Sequence, residues 1–193
     1  MKTIFFDVDT QLDFIYPAGA LYVPRSEHIV NRLGELTRFA RANGLQIIST
    51  VDAHTEDDPE FQVWKPHCVA GTDGQKKAAV TLADSPAVLS TRPGAAVDSS
   101  ASQIIVEKQS IDCFTNPNLR TLLGLLTADR YVVYGVVTEH CVRCAAFGLL
   151  ATGARVEIVT DAINSLAASD EKNVLARFQA EGGHLTTSAR VMS

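Results

Sequence analysis

The chain has 193 residues, of which 46% are hydrophobic and 20% are charged, a composition that excludes a disordered or fibrous protein. A chain of this length can bury about 70% of its unfolded surface in one core, so two independent domains are not expected. The formal net charge of -5 comes without any sustained Lys/Arg block, which argues against a nucleic-acid partner.

The N-terminal residues do not have the pattern of an export signal. The apolar run Ile4-Phe5-Phe6 is too short for a signal peptide, and the acids Asp7 and Asp9 lie directly behind it. No apolar run approaches the roughly 18 residues that cross a bilayer. We therefore expect a cytoplasmic location and no membrane partner. In that compartment the cysteines are expected to be free thiols, at positions 68, 113, 141 and 144.

Short apolar runs rich in β-branched residues alternate with helix-like stretches along the chain. The predicted strands are 3–8, 45–51, 87–90, 103–107, 131–137 and 155–159. The predicted helices are 26–43, 116–127, 139–152 and 169–181. This alternation predicts a single α/β domain over residues 1–193, three-layered and doubly wound, with a mainly parallel sheet of about six strands. Ligands of such folds bind beyond the carboxyl ends of the strands, so polar residues at those ends are the candidates for function.

The first predicted strand ends in two acids. Strict alternation places Asp7 and Asp9 on the same face of the strand. An acid at the carboxyl end of a strand could act as a general base. For an isolated Asp-x-Asp, however, a role in capping the next turn is the more common one.

The second predicted strand leads into a long irregular stretch, about 52–80, that is rich in possible metal ligands. Asp52 and His54 can project from one face, and His67 with a loop acid could complete a site for a divalent metal. Imidazole with carboxylate suits Zn, Mn or Fe. A solvated acidic loop with surface histidines explains the same spacing equally well.

Two further strand ends carry a lysine and a cysteine. Lys108 must reach solvent or meet a carboxylate, because burying it unpaired is costly. Thr138 is a good N-cap, which would place Cys141 in the first turn of a helix, where a thiolate is favoured. The alternative is that Cys141 is a small buried hydrophobe, the interpretation that fits the cysteines at positions 68 and 113 better.

The acid, the lysine and the cysteine reach the same edge of the predicted sheet. In that arrangement the Lys108 ammonium would lower the pKa of the Cys141 thiol, and an aspartate at the end of the first strand, Asp7 or Asp9, would accept its proton. Backbone amides at the start of the helix could bind an oxyanion. The three residue types are therefore chemically coherent as a nucleophilic site.

Four segments carry motifs in a fixed order. They are Asp9-x-Gln11-x-Asp13-Phe14, then Asp52-x-His54 with Trp64-x-Pro66-His67-Cys68-x-x-Gly71-Thr72, then Lys108 after its strand, and Gly135-Val136-Val137-Thr138-Glu139-His140-Cys141-Val142. Together they resemble the isochorismatase-like cysteine hydrolases, and within them the nicotinamidases and related amidases. The match extends over nearly the whole chain, and four ordered motifs are far more specific than one.

This resemblance implies a catalytic triad of Asp9, Lys108 and Cys141. Cys141 would attack a carboxamide carbon and form a thioester, and the backbone amides of Val137 and Cys141 would form the oxyanion hole. A cis peptide bond between Val136 and Val137 is also implied. The implied activity is hydrolysis of a small aromatic carboxamide, with nicotinamide as the first candidate, and relatives commonly form homo-oligomers.

The resemblance further implies a metal-binding site beside the triad. Asp52, His54 and His67 match its ligands, and the fourth ligand would be Glu60, with Asp58 as a near competitor. The metal would be Zn, Fe or Mn. The residues that would contact the substrate are Phe14, Trp64 and His140.

Departures from the family pattern affect the predicted substrate more than the predicted chemistry. Leu12, Lys65 and Val137 replace residues common in nicotinamidases, so a different amide or a carbamoyl substrate is the main alternative. The presence of Cys141 argues against the branch that hydrolyses isochorismate without a cysteine.

Two rivals come from other classes of protein. Cys141-Val142-Arg143-Cys144 is a Cys-x-x-Cys motif, which could belong to a dithiol redox protein. That interpretation leaves Asp9, Lys108 and the metal-ligand pattern unexplained, and it makes Cys144 reactive, whereas the amidase hypothesis predicts that Cys144 packs in the core. A non-catalytic module that keeps the fold without the activity is the second rival.

Overall fold

Seven parallel strands form the centre of the computed structural model, which describes residues 1–193. The strands are β1 (Thr3–Val8), β2 (Gln46–Asp52), β3 (Ala87–Leu89), β4 (Gln103–Lys108), β5 (Arg130–Val136), β6 (Arg155–Asn164) and β7 (His184–Thr186). They lie in the order β3-β4-β2-β1-β5-β6-β7, and every pairing is parallel. The chain leaves β1 toward one side of the sheet and β5 toward the other, which opens a crevice at their carboxyl ends.

Helices cover both faces of this sheet. The α-helices are α1 (Leu12–Ile15), α2 (Val30–Ala42), α3 (Leu119–Leu126), α4 (Arg143–Leu150), α5 (Ala168–Ala180) and α6 (Ser188–Val191). Short 3₁₀ helices occur at Ser26–Ile29, Pro59–Gln62, Ala79–Thr81 and Cys113–Thr115, and a π-helical turn at Thr138–Val142. None of the helices combines the length and the apolar character needed to cross a bilayer.

The core consists of two apolar clusters, one on each face of the sheet. Alternate residues of β1 belong to different clusters, because successive side chains of a strand point to opposite faces. Phe6 packs in the cluster with α3, α4 and Phe178 of α5, whereas Phe5 packs in the other with Leu33 of α2 and Val191 of α6. The predicted three-layer α/β architecture is therefore confirmed.

The sequence prediction missed the seventh strand and the end of the sixth. β7 has only three residues and comes after Gly182-Gly183, so it offers no apolar period to detect. β6 continues beyond its apolar start to Asn164, and its register with β5 shifts between Val133 and Gly135. The predicted helix at 26–43 begins as a 3₁₀ turn, and the one predicted at 116–127 is helical only from Leu119.

Gly135 allows β1 and β5 to approach closely where the functional residues begin. It has a φ of 120° and lies opposite Val8, and a Cβ at this position would be 2.0 Å from the Val8 carbonyl oxygen. Only glycine tolerates this conformation and this contact. Shortly after Gly135, the peptide bond between Val136 and Val137 is cis, as the resemblance implies.

We expect Gly135→Ala to destabilise the protein by several kcal/mol, about 3 or more, because the added methyl group would overlap backbone atoms of β1. The matched control is Gly124→Ala, since Gly124 lies exposed in α3 with open space around it. That substitution should stabilise the protein by up to about 1 kcal/mol. Urea unfolding followed by circular dichroism measures both. Equal effects of the two substitutions would contradict the proposed role of Gly135.

Candidate active site

Asp9 lies immediately after β1 and is completely buried. Its φ of 48° takes it out of the extended conformation, so it does not share the surroundings of Asp7 as strict alternation predicts. Asp9 Oδ1 accepts a hydrogen bond from the Thr50 hydroxyl at 2.6 Å, and Oδ2 lies 2.9 Å from Lys108 Nζ. Asp7 instead forms a separate buried ion pair with Lys77 at 2.7 Å. The structure thus separates the two acids and brings Asp9 to the lysine.

Lys108 is the last residue of β4, and its ammonium group is fully buried. It forms ion pairs with Asp9 and with Asp52, and its Nζ lies 3.7 Å from Cys141 Sγ. Burial alone would lower the pKa of Lys108, but Asp52 and Asp9 outweigh burial and raise this pKa well above its usual range. Lys108 is therefore a permanent positive charge between two carboxylates and a thiol.

Cys141 lies in the π-helical turn that connects β5 to α4, and it is buried. The prediction that Thr138 caps a helix was wrong, because its hydroxyl donates a hydrogen bond to the Asn164 carbonyl at 3.0 Å. The Val137 carbonyl instead accepts hydrogen bonds from the amides of His140 and Val142, each at 3.1 Å. This tight turn brings Cys141 beside Lys108.

The pKa of Cys141 is raised well above the usual value, which differs from the prediction. Burial is the largest cause, and although Lys108 lowers this pKa, the carboxyl group of Asp9 raises it further. Burial also raises the pKa of Asp9, against the opposing effect of Lys108. Burial therefore disfavours ionisation of the Cys141 thiol, and it increases the proton affinity of the Asp9 carboxyl group next to it.

The other three cysteines are also free. Cys68 and Cys113 are buried, as expected for small apolar side chains. Burial raises the pKa of Cys68 and of Cys113 far above the usual range, so neither thiol ionises readily. Cys144 is only half-buried, so the expectation that it packs in the core was wrong.

Asp52, His54 and His67 form a buried cluster beside Lys108. One potential ligand atom from each lies within 4.8 Å of the others, and Asp52 Oδ2 is 3.8 Å from Nε2 of both histidines. The Nε2 atom of His54 is buried without a hydrogen-bond partner, which is costly unless another group binds it. Two imidazoles and a carboxylate are a donor set that fits a divalent metal such as zinc.

Each histidine of this cluster has a partner for its second ring nitrogen. His54 Nδ1 lies 2.9 Å from Asp58 Oδ2, and His67 Nδ1 lies 2.7 Å from the Lys65 carbonyl oxygen. Glu60 is half-buried and lies outside the three-residue cluster, but it lines the same cleft. Burial and the nearby carboxylate of Asp52 raise the pKa of Glu60.

Sequence reasoning missed two side chains that hold the segments around the cluster. The Gln11 amide donates to the Asp52 carbonyl at 2.9 Å and accepts from the Asp52 amide at 2.7 Å. Asp13 Oδ2 accepts from the Cys68 amide at 2.7 Å, next to His67. In the sequence Gln11 and Asp13 are visible only as parts of a motif, and the motif does not show which backbone groups their side chains bind.

A mostly apolar cleft, open to solvent, lies beside Cys141. Phe14, Trp64 and His140, the residues predicted to contact the substrate, line this cleft, and the rings of Trp64 and His140 lie 5.5 Å apart. The remaining apolar wall comes from segments without a recognisable motif, so no pattern in the sequence indicates it. Those residues are Leu21, Tyr22, Val23, Ile111 and Leu166.

The fold and this site define a class of protein: a doubly wound α/β domain with a buried cysteine, lysine and aspartate beside a candidate metal site. The model of the isochorismatase domain matches residues 3–190, and the chain belongs to the isochorismatase family.

Relatives and solved structures agree with this membership. The chain is 24% identical to the nicotinamidase of Saccharomyces cerevisiae, over 94% of this chain and 95% of the yeast protein. It superposes with a TM-score of 0.82 on the pyrazinamidase of Pyrococcus horikoshii in complex with zinc, at 26% identity and with 97% and 99% of the two chains covered. For the N-carbamoylsarcosine amidase of Thermoplasma acidophilum the TM-score is 0.77, at 26% identity and with 97% of each chain covered. The family and these relatives make the protein an amide-hydrolysing enzyme.

We expect Cys141 in metal-free protein to react slowly with iodoacetamide at neutral pH, because burial and Asp9 hold its pKa above the usual value. The rate should rise as the pH increases past about 9. Lys108→Met should move this rise to higher pH and slow the reaction further near neutral pH, since it removes the positive charge that lowers the thiol pKa.

The measurement is the alkylation rate against pH, with the modified cysteine identified by peptide mass spectrometry because Cys144 is also partly accessible. Circular dichroism checks that the lysine variant is folded. An alkylation midpoint below about 8 in the wild-type protein, or no shift in the variant, would contradict the assignment.

Proposed function

We propose that the protein is a metal-containing cysteine amidohydrolase that hydrolyses a small aromatic carboxamide, with nicotinamide as the first candidate substrate. The products would be nicotinate and ammonia. The observation that carries this proposal is the convergence of Asp9, Lys108 and Cys141 at an apolar cleft, with the Asp52, His54 and His67 cluster directly beside them, where Asp52 contacts Lys108.

In the proposed reaction, Asp9 accepts the thiol proton while Cys141 Sγ attacks the carboxamide carbon. The backbone N–H groups of Val137 and Cys141 stabilise the oxyanion of the tetrahedral intermediate. Asp9 then gives the proton to the departing ammonia, and water hydrolyses the thioester. Lys108 remains charged throughout and stabilises the thiolate as it forms, which offsets the effect of burial.

In the same proposal, Asp52, His54 and His67 hold a divalent metal, Zn, Fe or Mn, and Glu60 is the fourth ligand. The bound metal would offer a coordination position for the ring nitrogen of an aromatic carboxamide. The unpartnered Nε2 of His54 supports this assignment, as does the zinc complex of the Pyrococcus horikoshii pyrazinamidase.

The charge of the cleft supports a neutral substrate. No lysine or arginine lines it, whereas Asp52 and Glu60 do. A carboxylate on the substrate would therefore lack a cationic side chain as partner. The alternative is a carbamoyl substrate, which the likeness to the N-carbamoylsarcosine amidase favours. Of the residues that depart from the nicotinamidase pattern, Val137 lines the cleft, whereas the Lys65 side chain is exposed outside it.

We expect the metal-reconstituted enzyme to release ammonia from nicotinamide, and Cys141→Ala to lower this rate by about 10³-fold or more, because the variant has no nucleophile. Cys144→Ala is the matched control, since it removes the other thiol of the same segment, and it should leave the rate within about twofold of wild type. A coupled ammonia assay measures all three proteins.

Assays with N-carbamoylsarcosine under the same conditions test the substrate class. We expect slower turnover than with nicotinamide, because the cleft offers no lysine or arginine to the carboxylate of N-carbamoylsarcosine. Equal rates of ammonia release from nicotinamide by wild type and Cys141→Ala would refute the assignment of Cys141 as the nucleophile. If the enzyme hydrolyses N-carbamoylsarcosine but not nicotinamide, the substrate is a carbamoyl compound and not an aromatic carboxamide.

A further inference from the structure

The two histidines of the candidate metal site differ in what holds them. A backbone carbonyl, that of Lys65, accepts from His67 Nδ1, whereas a side-chain carboxylate, that of Asp58, contacts His54 Nδ1. Asp58 is only 7% exposed although its neighbours Asp57 and Pro59 are exposed. Burying a carboxylate within an exposed loop is costly unless its oxygens are bound, so its partners are informative.

Both oxygens of Asp58 are engaged. Oδ2 lies 2.9 Å from His54 Nδ1, and Oδ1 accepts a hydrogen bond from the Glu60 amide at 2.9 Å. The second contact caps the 3₁₀ helix Pro59–Gln62. This helix also carries Phe61, whose ring lies 5.2 Å from the His54 ring. Asp58 therefore connects His54 to the short helix that brings Glu60 to the cleft.

The contact of Asp58 with His54 Nδ1 determines which ring nitrogen of His54 is available to bind a metal. A carboxylate beside Nδ1 favours the tautomer with its proton on that atom, and the lone pair is then on Nε2. Nε2 is the atom that is buried without a partner and lies 3.8 Å from Asp52 Oδ2. Because the two ring nitrogens point in different directions, an oxygen bound at Nδ1 lies on the far side of the ring from a metal at Nε2.

We propose that Asp58 is a positioning residue of the metal site and not its fourth ligand. Through Oδ2 it orients His54 so that Nε2 faces Asp52, and through Oδ1 it fixes the backbone of Glu60. This inference rests on the proposed metal site, and it adds a residue that acts through a ligand. It also decides between Asp58 and Glu60, which the spacing of the sequence leaves open.

Three substitutions separate the two contacts of Asp58. Asp58→Ser keeps an oxygen that can cap the Pro59–Gln62 helix, but serine is too short to reach His54 Nδ1. Asp58→Asn keeps the size of the side chain but removes the charge, and its single acceptor oxygen can serve only one of the two contacts. Asp57→Ser, at the exposed neighbouring position, is the matched control for a lost acid in the same loop.

The experiment measures the zinc affinity of the metal-free proteins by competition with a chromogenic chelator at fixed pH. We expect zinc to bind Asp58→Ser about 10- to 100-fold more weakly than wild type, the usual effect of losing a partner of a ligating histidine. The affinity of Asp58→Asn should lie between those of wild type and Asp58→Ser, and Asp57→Ser should match wild type. The absorption spectrum of the Co²⁺-loaded proteins should change in Asp58→Ser and not in Asp57→Ser.

An affinity of Asp58→Ser within twofold of wild type overturns the role of Asp58, as does an equal loss in Asp57→Ser. Circular dichroism of the metal-free proteins checks folding. If Asp58→Ser does not fold, the zinc affinity of Asp58→Asn provides the test. A zinc affinity of Asp58→Asn equal to that of wild type then overturns the proposal. Absence of zinc binding by the wild-type protein refutes the metal site itself and the role of Asp58 with it. None of these readouts depends on the identity of the carboxamide substrate.

Discussion

The ammonium group of Lys108 is the interaction on which the rest of the site depends. It is fully buried, and it contacts Asp9, Asp52 and Cys141. An unpaired charge at this depth would be strongly unfavourable, and the two carboxylates compensate for it. Because Asp52 also belongs to the histidine cluster, this one ammonium joins the candidate catalytic groups to the candidate metal site. A change in either half therefore alters the electrostatics of the other.

The sheet produces this contact through its register. β4, β2, β1 and β5 are adjacent and parallel, so their carboxyl ends meet at one edge. Asp52 and Lys108 are directly paired across β2 and β4, so the register itself fixes their ion pair. A shift of one residue would send every side chain of a strand to the opposite face. The arrangement of the candidate catalytic residues is thus a consequence of strand pairing, and the loops add the remaining side chains.

The segment after β1 holds the other parts in place through alternate residues. Asp9 contacts Lys108, Gln11 binds both backbone groups of Asp52, and Asp13 binds the amide of Cys68. One short segment therefore supplies Asp9 to the candidate catalytic group. It also holds the end of β2, where Asp52 lies, and the loop that carries His67. This explains in physical terms why its motif has the form Asp-x-Gln-x-Asp.

The sequence was sufficient to predict the residues that meet, but not their protonation or their second partners. That an acid after β1, Lys108 and Cys141 meet could be predicted because parallel strands deliver their carboxyl ends to a single edge, whereas the choice of Asp9 over Asp7 and of the histidine cluster came from the family resemblance. The raised pKa of Cys141 could not, since it depends on how deeply the thiol is buried. The contact of Asp58 with Nδ1 of His54 was equally hidden, because spacing does not show which ring nitrogen a carboxylate faces. The short β7 and the π-helical turn leave no period in the sequence at all.

The raised pKa of the thiol bears on the proposed mechanism. If Lys108 alone controlled Cys141, a stable thiolate would need no base, and Asp9 would have no proton to accept. Burial instead keeps the proton on the sulfur, and burial also raises the proton affinity of Asp9. A general base is most effective when its pKa lies near the operating pH, so a raised pKa makes Asp9 a stronger base than an ordinary surface aspartate. The depth of the site therefore hinders spontaneous ionisation of Cys141, and the same depth strengthens the base that would remove its proton.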